Sequence, residues 1–118
     1  MWRDDALLLD MLLASRKIRQ FTQDHSWETF QVEEKTQHAV MRLIQIIGEA
    51  ASKVSDGYKQ EHSVIPWVGI IGMRHRLVHD YFNILLEKVW EVIVKDIPEL
   101  IQNLEPLVPP EENLEKED

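Results

Sequence analysis

The stretch Gly72-Met73-Arg74-His75-Arg76-Leu77-Val78-His79-Asp80-Tyr81 gathers two arginines, two histidines, an aspartate and a tyrosine between positions 74 and 81. Counting only Lys and Arg against Asp and Glu, positions 74–81 carry +1 in a chain whose formal net charge is −8. An arginine presents a planar fork of donors and stays charged at every useful pH. It suits a phosphate, and more so the extra negative charge of a pentacoordinate phosphoryl transition state. A histidine takes or gives a proton near neutrality. Together the two can cleave RNA without a metal. The imidazole removes the proton of a ribose 2′-OH, the oxygen attacks the neighbouring phosphorus, and the guanidinium stabilises the developing charge. The expected product is a 2′,3′-cyclic phosphate. DNA lacks the attacking hydroxyl and is not expected to be a substrate.

Spacing sorts these residues if the segment is helical, each residue advancing by about 100°. Arg74 and Tyr81 then return to one face two turns apart, and His75 and His79 share another. Arg74 and His79 stand about 140° apart, which a long arginine can bridge. The same pair can also meet across a two-fold axis, so the spacing favours a site at a dimer seam. Other readings compete. An R-x4-H spacing alone occurs by chance in many helices. His75 and His79 at i, i+4 resemble a metal pair, but no HExxH is present and a third ligand beyond Asp80 or Glu49 is not evident. A tyrosine such as Tyr81 is most often a core aromatic with a wet hydroxyl, and Arg76 reads as the solvated partner of an acid. Trp2, Trp27, Trp67 and Trp90 read as core and interface, and His25, His38 and His62 as surface residues.

The elements that must position this stretch are helical. Gly and Pro number only four and five, and strand-like alternation is not sustained anywhere. Asp4 or Asp5 can cap a first helix running to about Phe21, with an apolar stripe of Leu7, Met11, Ala14, Ile18 and Phe21. Leu8, Leu9, Leu12 and Leu13 widen that stripe, so this helix is central in the bundle or shared with a second subunit. Ser26 to Phe30 predicts a short helical turn with Trp27 and Phe30 inward. A long helix follows from about Glu33 to Ser55 on Val40, Ile44, Ile47, Ala51 and Val54, with Asp56-Gly57 as its stop. The small residues Gly48, Ala50, Ala51 and Ser52 on it permit a close neighbour. Residues 57–65 read as a polar loop. Pro66 opens a third helix to about His79, whose Gly69 and Gly72 suggest close packing. Asn83 can cap a fourth helix on Leu86, Val89, Ile93, Ile97, Leu100 and Leu104, with Pro98 kinking or restarting it and Asp96 as a possible cap. The pattern predicts an all-α, antiparallel up-and-down bundle, homodimeric if the first helix keeps apolar surface outside.

Composition sets the outer limits. The chain has 118 residues, 44% of them hydrophobic, which suits one domain with a real core. It has no cysteine, excluding disulfides, thiolate catalysis and Cys-ligated metals. Apolar runs stop at three or four residues, as at Leu7–Leu9 and Val92–Val94, too short for a membrane span or signal peptide. A cytoplasmic location is the default. Glu111, Glu112, Glu115, Glu117 and Asp118 against Lys116 give the last eight residues half of the total charge. Residues 1–108 therefore read as the domain and 109–118 as an acidic disordered tail. The acidic balance counts against coating nucleic acid by bulk electrostatics.

Taken together, Ile65-Pro66-Trp67, Gly72-Met73-Arg74 and Leu77-Val78-His79-Asp80-Tyr81-Phe82 resemble the signature of HepT-like proteins, the toxin half of HEPN–MNT (type VII) toxin–antitoxin modules. The resemblance extends to Arg3-Asp4, Ile46-Ile47-Gly48-Glu49-Ala50 and the Trp90 helix, and covers roughly residues 1–105. R-x4-H-x-Y, here Arg74, His79 and Tyr81, is far more specific than R-x4-H. The resemblance implies an all-helical HEPN-like homodimer whose R-x4-H motifs meet in a cleft. It implies a metal-independent endoribonuclease acting on mRNA or tRNA, with no cofactor, and makes Arg74 and His79 the catalytic pair. His75 fits the polar position after the motif arginine, and Asp80 stands beside the motif histidine as a possible supporting group. The implied partner is a minimal nucleotidyltransferase antitoxin, in a heteromeric complex, that transfers AMP from ATP to Tyr81. The open alternative is a non-catalytic helical dimer that docks the nucleotidyltransferase and serves as its substrate.

Overall fold

The stripes read at the N-terminus and at positions 40–54 become two long helices, α1 (Trp2–Thr22) and α3 (Glu34–Lys53). The computed structural model describes residues 2–79 and 83–109; Asp80, Tyr81, Phe82 and the tail from Pro110 onward lie outside the described residues. Within them the fold is an all-α bundle with no strand, only an isolated antiparallel bridge between Val78 and Ile84.

α1 packs along α3 and against the C-terminal helix α8 (Ile97–Leu104). Its buried line is Leu8, Met11, Ser15, Ile18 and Thr22, one position off the purely apolar stripe, and Phe21 is exposed. Two hydroxyl residues enter the core because each satisfies itself: Ser15 Oγ donates to the Met11 carbonyl at 2.8 Å and Thr22 Oγ1 to the Ile18 carbonyl at 2.7 Å. Leu12 and Ala14 are buried as well. Most of the surplus apolar surface is thus absorbed inside the protomer, and α1 is the central helix. Leu13 keeps its exposure.

α1 and α3 run antiparallel, since Asp4 at the start of α1 holds Ser55 just beyond the end of α3. The Ser55 amide donates to Asp4 Oδ1 at 3.0 Å and its hydroxyl to Oδ2 at 2.7 Å. Asp4 therefore does not cap α1; it clamps the next helix start. Ser55 in turn caps α4 (Asp56–Glu61), accepting from the Tyr58 amide at 3.3 Å. Asp56-Gly57 consequently opens a helix rather than ending one, and no glycine has positive φ. α3 stops instead where Val54 turns extended. Between α1 and α3, α2 (Trp27–Phe30) carries a reciprocal cap. The Thr29 amide donates to Ser26 Oγ, and the Ser26 amide to Thr29 Oγ1. Phe30 is fully buried against Trp90, ring centroids 5.2 Å apart.

The third predicted helix is broken. α5 (Trp67–Ile71) ends at Gly72, and α6 (Met73–Arg76) is one further turn, capped at Leu77 rather than His79. Pro66 lies one residue ahead of α5, as its cap. α3 receives this region at Gly48, where an added Cβ would stand 3.4 Å from the carbonyl oxygens of Ile70 and Ile71. Close packing is thus the role of Gly48. Gly69, expected to serve it, faces open space.

The fourth helix starts at Leu86, not after an Asn83 cap. It runs as α7 (Leu86–Glu91), a π-helical turn (Val92–Asp96) and α8, ending in a 3-10 turn. Pro98 would drive its ring into the carbonyl four residues back, and the wider π turn just ahead of it accommodates the ring. Asp96 makes no side-chain cap there. Val89, Ile93, Ile97, Leu100 and Leu104 are buried as read, with Leu86 half-buried. No described helix is long and apolar enough to cross a membrane.

Candidate active site

Met73 and Leu77, four residues apart, bury one side of α6 against the core, where the turn packs on α3. The three residues between the anchors, Arg74, His75 and Arg76, are exposed. Beyond Leu77 the chain doubles back. The His79 amide donates to the Asn83 carbonyl at 2.7 Å and the Leu85 amide to the Leu77 carbonyl at 2.8 Å. Exposure rises away from the core along both sides of the bridge: Leu77 is buried, Val78 and Ile84 are half-buried, and His79 and Asn83 are exposed.

The two motif residues are therefore held in different ways. Arg74 sits on a helical turn and His79 on a pinned loop whose ends are tied by backbone bonds. The helix stops at Arg76, so the separation of about 140° between Arg74 and His79 and the shared face of His75 and His79, both expected of a continuous helix, do not apply. Both Arg74 and His79 are solvent-exposed, and no hydrogen bond or ion pair joins them among the described residues. Asp80 and Tyr81 lie outside the described residues.

Arg76 is not the solvated partner of an acid. Its Nη2 donates to the Gly69 carbonyl at 3.0 Å, folding the side chain back along α5. The path is open because Gly72 has no side chain; a Cβ there would stand 3.2 Å from Arg76 Nη1. Gly72 thus gives this arginine clearance, while the acceptor is the backbone carbonyl of Gly69, which any residue there would supply. Sequence reading missed this fold-back, of which Gly72 four residues ahead of Arg76 was the visible trace.

The remaining candidates are structural. His25 bridges Thr29 Oγ1 at 2.9 Å and Glu33 at 2.8 Å, tying α2 to the approach to α3. His62 stacks on Tyr58 with centroids 4.0 Å apart, and its carbonyl accepts from Trp67 Nε1 at 3.1 Å. Burial pushes the Tyr58 hydroxyl pKa up, with Asp5, Asp4 and Glu61 adding to it. His38 is exposed as expected. Among the described residues no three His, Asp or Glu side chains converge as a metal-ligand set.

Comparison with known proteins places this arrangement. Residues 11–107 match the family described as Ribonuclease HepT-like. The chain is 37% identical over 100 residues to the "Probable ribonuclease HepT" of Thermococcus cleftensis, covering 85% of this chain and 91% of the relative. It is 32% identical over 103 residues to "Putative RNase MJ0127" of Methanocaldococcus jannaschii, covering 87% and 85%. It is 40% identical over 75 residues to "Putative RNase TTE0752" of Caldanaerobacter subterraneus, covering 64% and 67%. No solved structure matches significantly.

Proposed function

We propose, from the premise that this chain belongs to the ribonuclease HepT-like family, that it is a metal-independent endoribonuclease toxin with Arg74 and His79 as its catalytic pair. The observation that carries this reading is the coincidence of family and motif: the match spans the R-x4-H stretch, and both motif side chains stand on the surface, where a polynucleotide can reach them. His79 takes the ribose 2′-OH proton as the oxygen attacks phosphorus. The 5′ oxygen of the next nucleotide leaves, taking a proton from solvent. Arg74 holds the non-bridging oxygens through the transition state. His75, exposed on the same turn, assists with phosphate binding.

The working form is a homodimer in which two such surfaces face one another. Val68 and Ile71, on the helix leading into the site, are exposed at 87% and 39%, with Val64 beside them at 72%. An apolar strip next to catalytic polar groups supports an interface there. The off-switch is AMP transfer by a nucleotidyltransferase antitoxin. The Tyr81 hydroxyl attacks the α-phosphorus of ATP, pyrophosphate leaves, and the bound adenylate blocks RNA. The formal charge of −8 favours a second reading, a non-catalytic dimer that only docks and is modified by that partner.

Incubation of the purified protein with total RNA in EDTA separates the two. Cleavage, falling by about 10²–10⁴-fold in Arg74→Ala and His79→Ala, is the expected outcome for an acid–base pair. Intact RNA with unmodified protein favours the docking reading, and full activity in both variants removes the assigned site.

A further inference from the structure

A groove of about 230 Å³ runs between α5–α6 and α8, and Arg74 and His79 are not among its lining residues. Its apolar lining includes Ile70, Met73 and Leu100. Arg76 lies on the α6 side, its guanidinium already oriented by the Gly69 carbonyl. Asp96 and Glu99 lie on the other side. Asp96 ends the π turn, a local widening of the helix that recurs at ligand sites. No side-chain hydrogen bond or ion pair holds Asp96 or Glu99 among the described residues.

The charges decide what fits. Two carboxylates repel a phosphate or any other anion. The guanidinium offsets one of those charges and calls for an acceptor, which an inserted lysine or arginine side chain lacks. What remains is a neutral, flat molecule with N–H donors for the carboxylates, acceptors for the guanidinium and an apolar face for the floor. The volume is below the roughly 300–1,000 Å³ of drug-sized sites, which suits one base. Guanine meets every condition. Its N1–H and N2 amine can donate to a carboxylate, and its O6 and N7 accept from an arginine fork. Arg76 retains donors for this, since a guanidinium has five N–H groups and the Gly69 carbonyl takes one. Adenine lacks the O6 acceptor and the paired donor edge.

We propose that this groove is a guanine-recognition site, with Asp96 and Glu99 reading the donor edge and Arg76 the acceptor edge. Burial holds the Asp96 carboxyl above its ordinary range, with Glu91 and Glu99 adding to that and Lys95 and Arg76 opposing it. A carboxylate short of solvent gains from N–H donors. The base comes either from the RNA substrate or from a free guanine-bearing ligand. Only the first source rests on the ribonuclease reading.

The test begins without RNA. Guanosine, inosine, adenosine and uridine are titrated into the full chain by heteronuclear NMR. Guanosine is expected to bind about ten-fold or more tighter than inosine, which lacks the N2 amine, as one bidentate base contact allows. Asp96→Asn and Glu99→Gln are each expected to weaken it comparably with unchanged circular dichroism. Equal binding of all four nucleosides, no binding at millimolar concentration, or preference for free arginine overturns the site. RNA in which inosine replaces guanosine then identifies the source. A fall of about ten-fold or more in kcat/KM places the substrate's own base in the groove. Selective guanosine binding with undiminished cleavage of the inosine RNA assigns it to a free ligand. Selective guanosine binding by a chain that cuts no RNA supports the groove while refuting the ribonuclease reading.

Discussion

At the scale of the residue, the proposed chemistry divides between a guanidinium on a helical turn and an imidazole on a pinned loop. Arg74 is fixed by its neighbours, since Met73 and Leu77 bury the same turn's other side. His79 owes its place to a backbone bond with Asn83. Their types and spacing were legible in the sequence because R-x4-H-x-Y is a local pattern. Their geometry was not, because a helix was assumed where the chain turns back. Tyr81 yields the prediction belonging to this scale. Co-expression with a cognate nucleotidyltransferase and ATP is expected to raise the chain's intact mass in steps of AMP, and Tyr81→Phe to abolish the increase. Mass added to the variant would mean that another hydroxyl is the target.

At the scale of the element, the part-buried clamp between Asp4 and Ser55 shows what joins one helix to the next. One carboxylate takes both the amide and the hydroxyl of the residue that caps α4, locking the start of α1 to the end of α3. Those two hydrogen bonds, the hydroxyl's first, hold the Asp4 pKa below its ordinary value. A group with a depressed folded-state pKa stabilises the fold fully above its unfolded pKa. That stabilisation is lost as pH falls through the folded value. Asp4→Asn is therefore expected to lower Tm at pH 7, and the gap to the parent chain is expected to close as pH falls below the usual carboxylate range. A gap independent of pH, followed by thermal circular dichroism, would show that the clamp acts without its charge. The sequence offered Asp4 as a cap for its own helix. It could not show that the partner lies at Ser55, because that contact exists only once α1 and α3 are antiparallel.

The same scale explains the shifted stripe on α1. Periodicity counts apolar residues, so Leu7, Ala14 and Phe21 looked like one face. The buried line passes through Ser15 and Thr22, whose hydroxyls bond back to their own helix and so enter the core at little cost. The broken third helix has a different cause. Gly72 ends α5 and clears the path of Arg76, a contact between residues seven apart that no local propensity records.

At the scale of the whole molecule, the central position of α1 moves the candidate interface. The long helix spends most of its apolar surface inside the protomer, between α3 and α8. The exposed apolar side chains beside the site are instead Val64, Val68 and Ile71. Burying a valine side chain stabilises an assembly by roughly 1.5–3 kcal/mol, whereas an unpaired buried carboxylate opposes it. Val68→Glu is thus expected to weaken dimerisation by about ten-fold or more and to reduce RNA cleavage with it. Sedimentation at several concentrations reads the first effect. A parent chain that stays monomeric at micromolar concentration, or a variant that stays dimeric, would rule out this face. The net charge of −8 acts at this scale as well. On the proposed ribonuclease reading, RNA is drawn in by the local cluster of Arg74, His75 and Arg76, not by the field of the whole protein.

By itself the sequence determined that this is a helical chain without thiol chemistry, and that its candidate reactive residues at positions 74–81 form a HepT-like signature. Each of these depends on residue identity or short-range periodicity. The tertiary structure alone decided that α1 is central, that Asp4 holds Ser55, that the motif straddles a helix end and a loop, and that Arg76 faces Asp96 and Glu99 across a groove. Those outcomes depend on which distant groups become neighbours. Packing resolves that competition only after the helices have formed, when buried polar atoms must find partners and a proline or glycine must be accommodated.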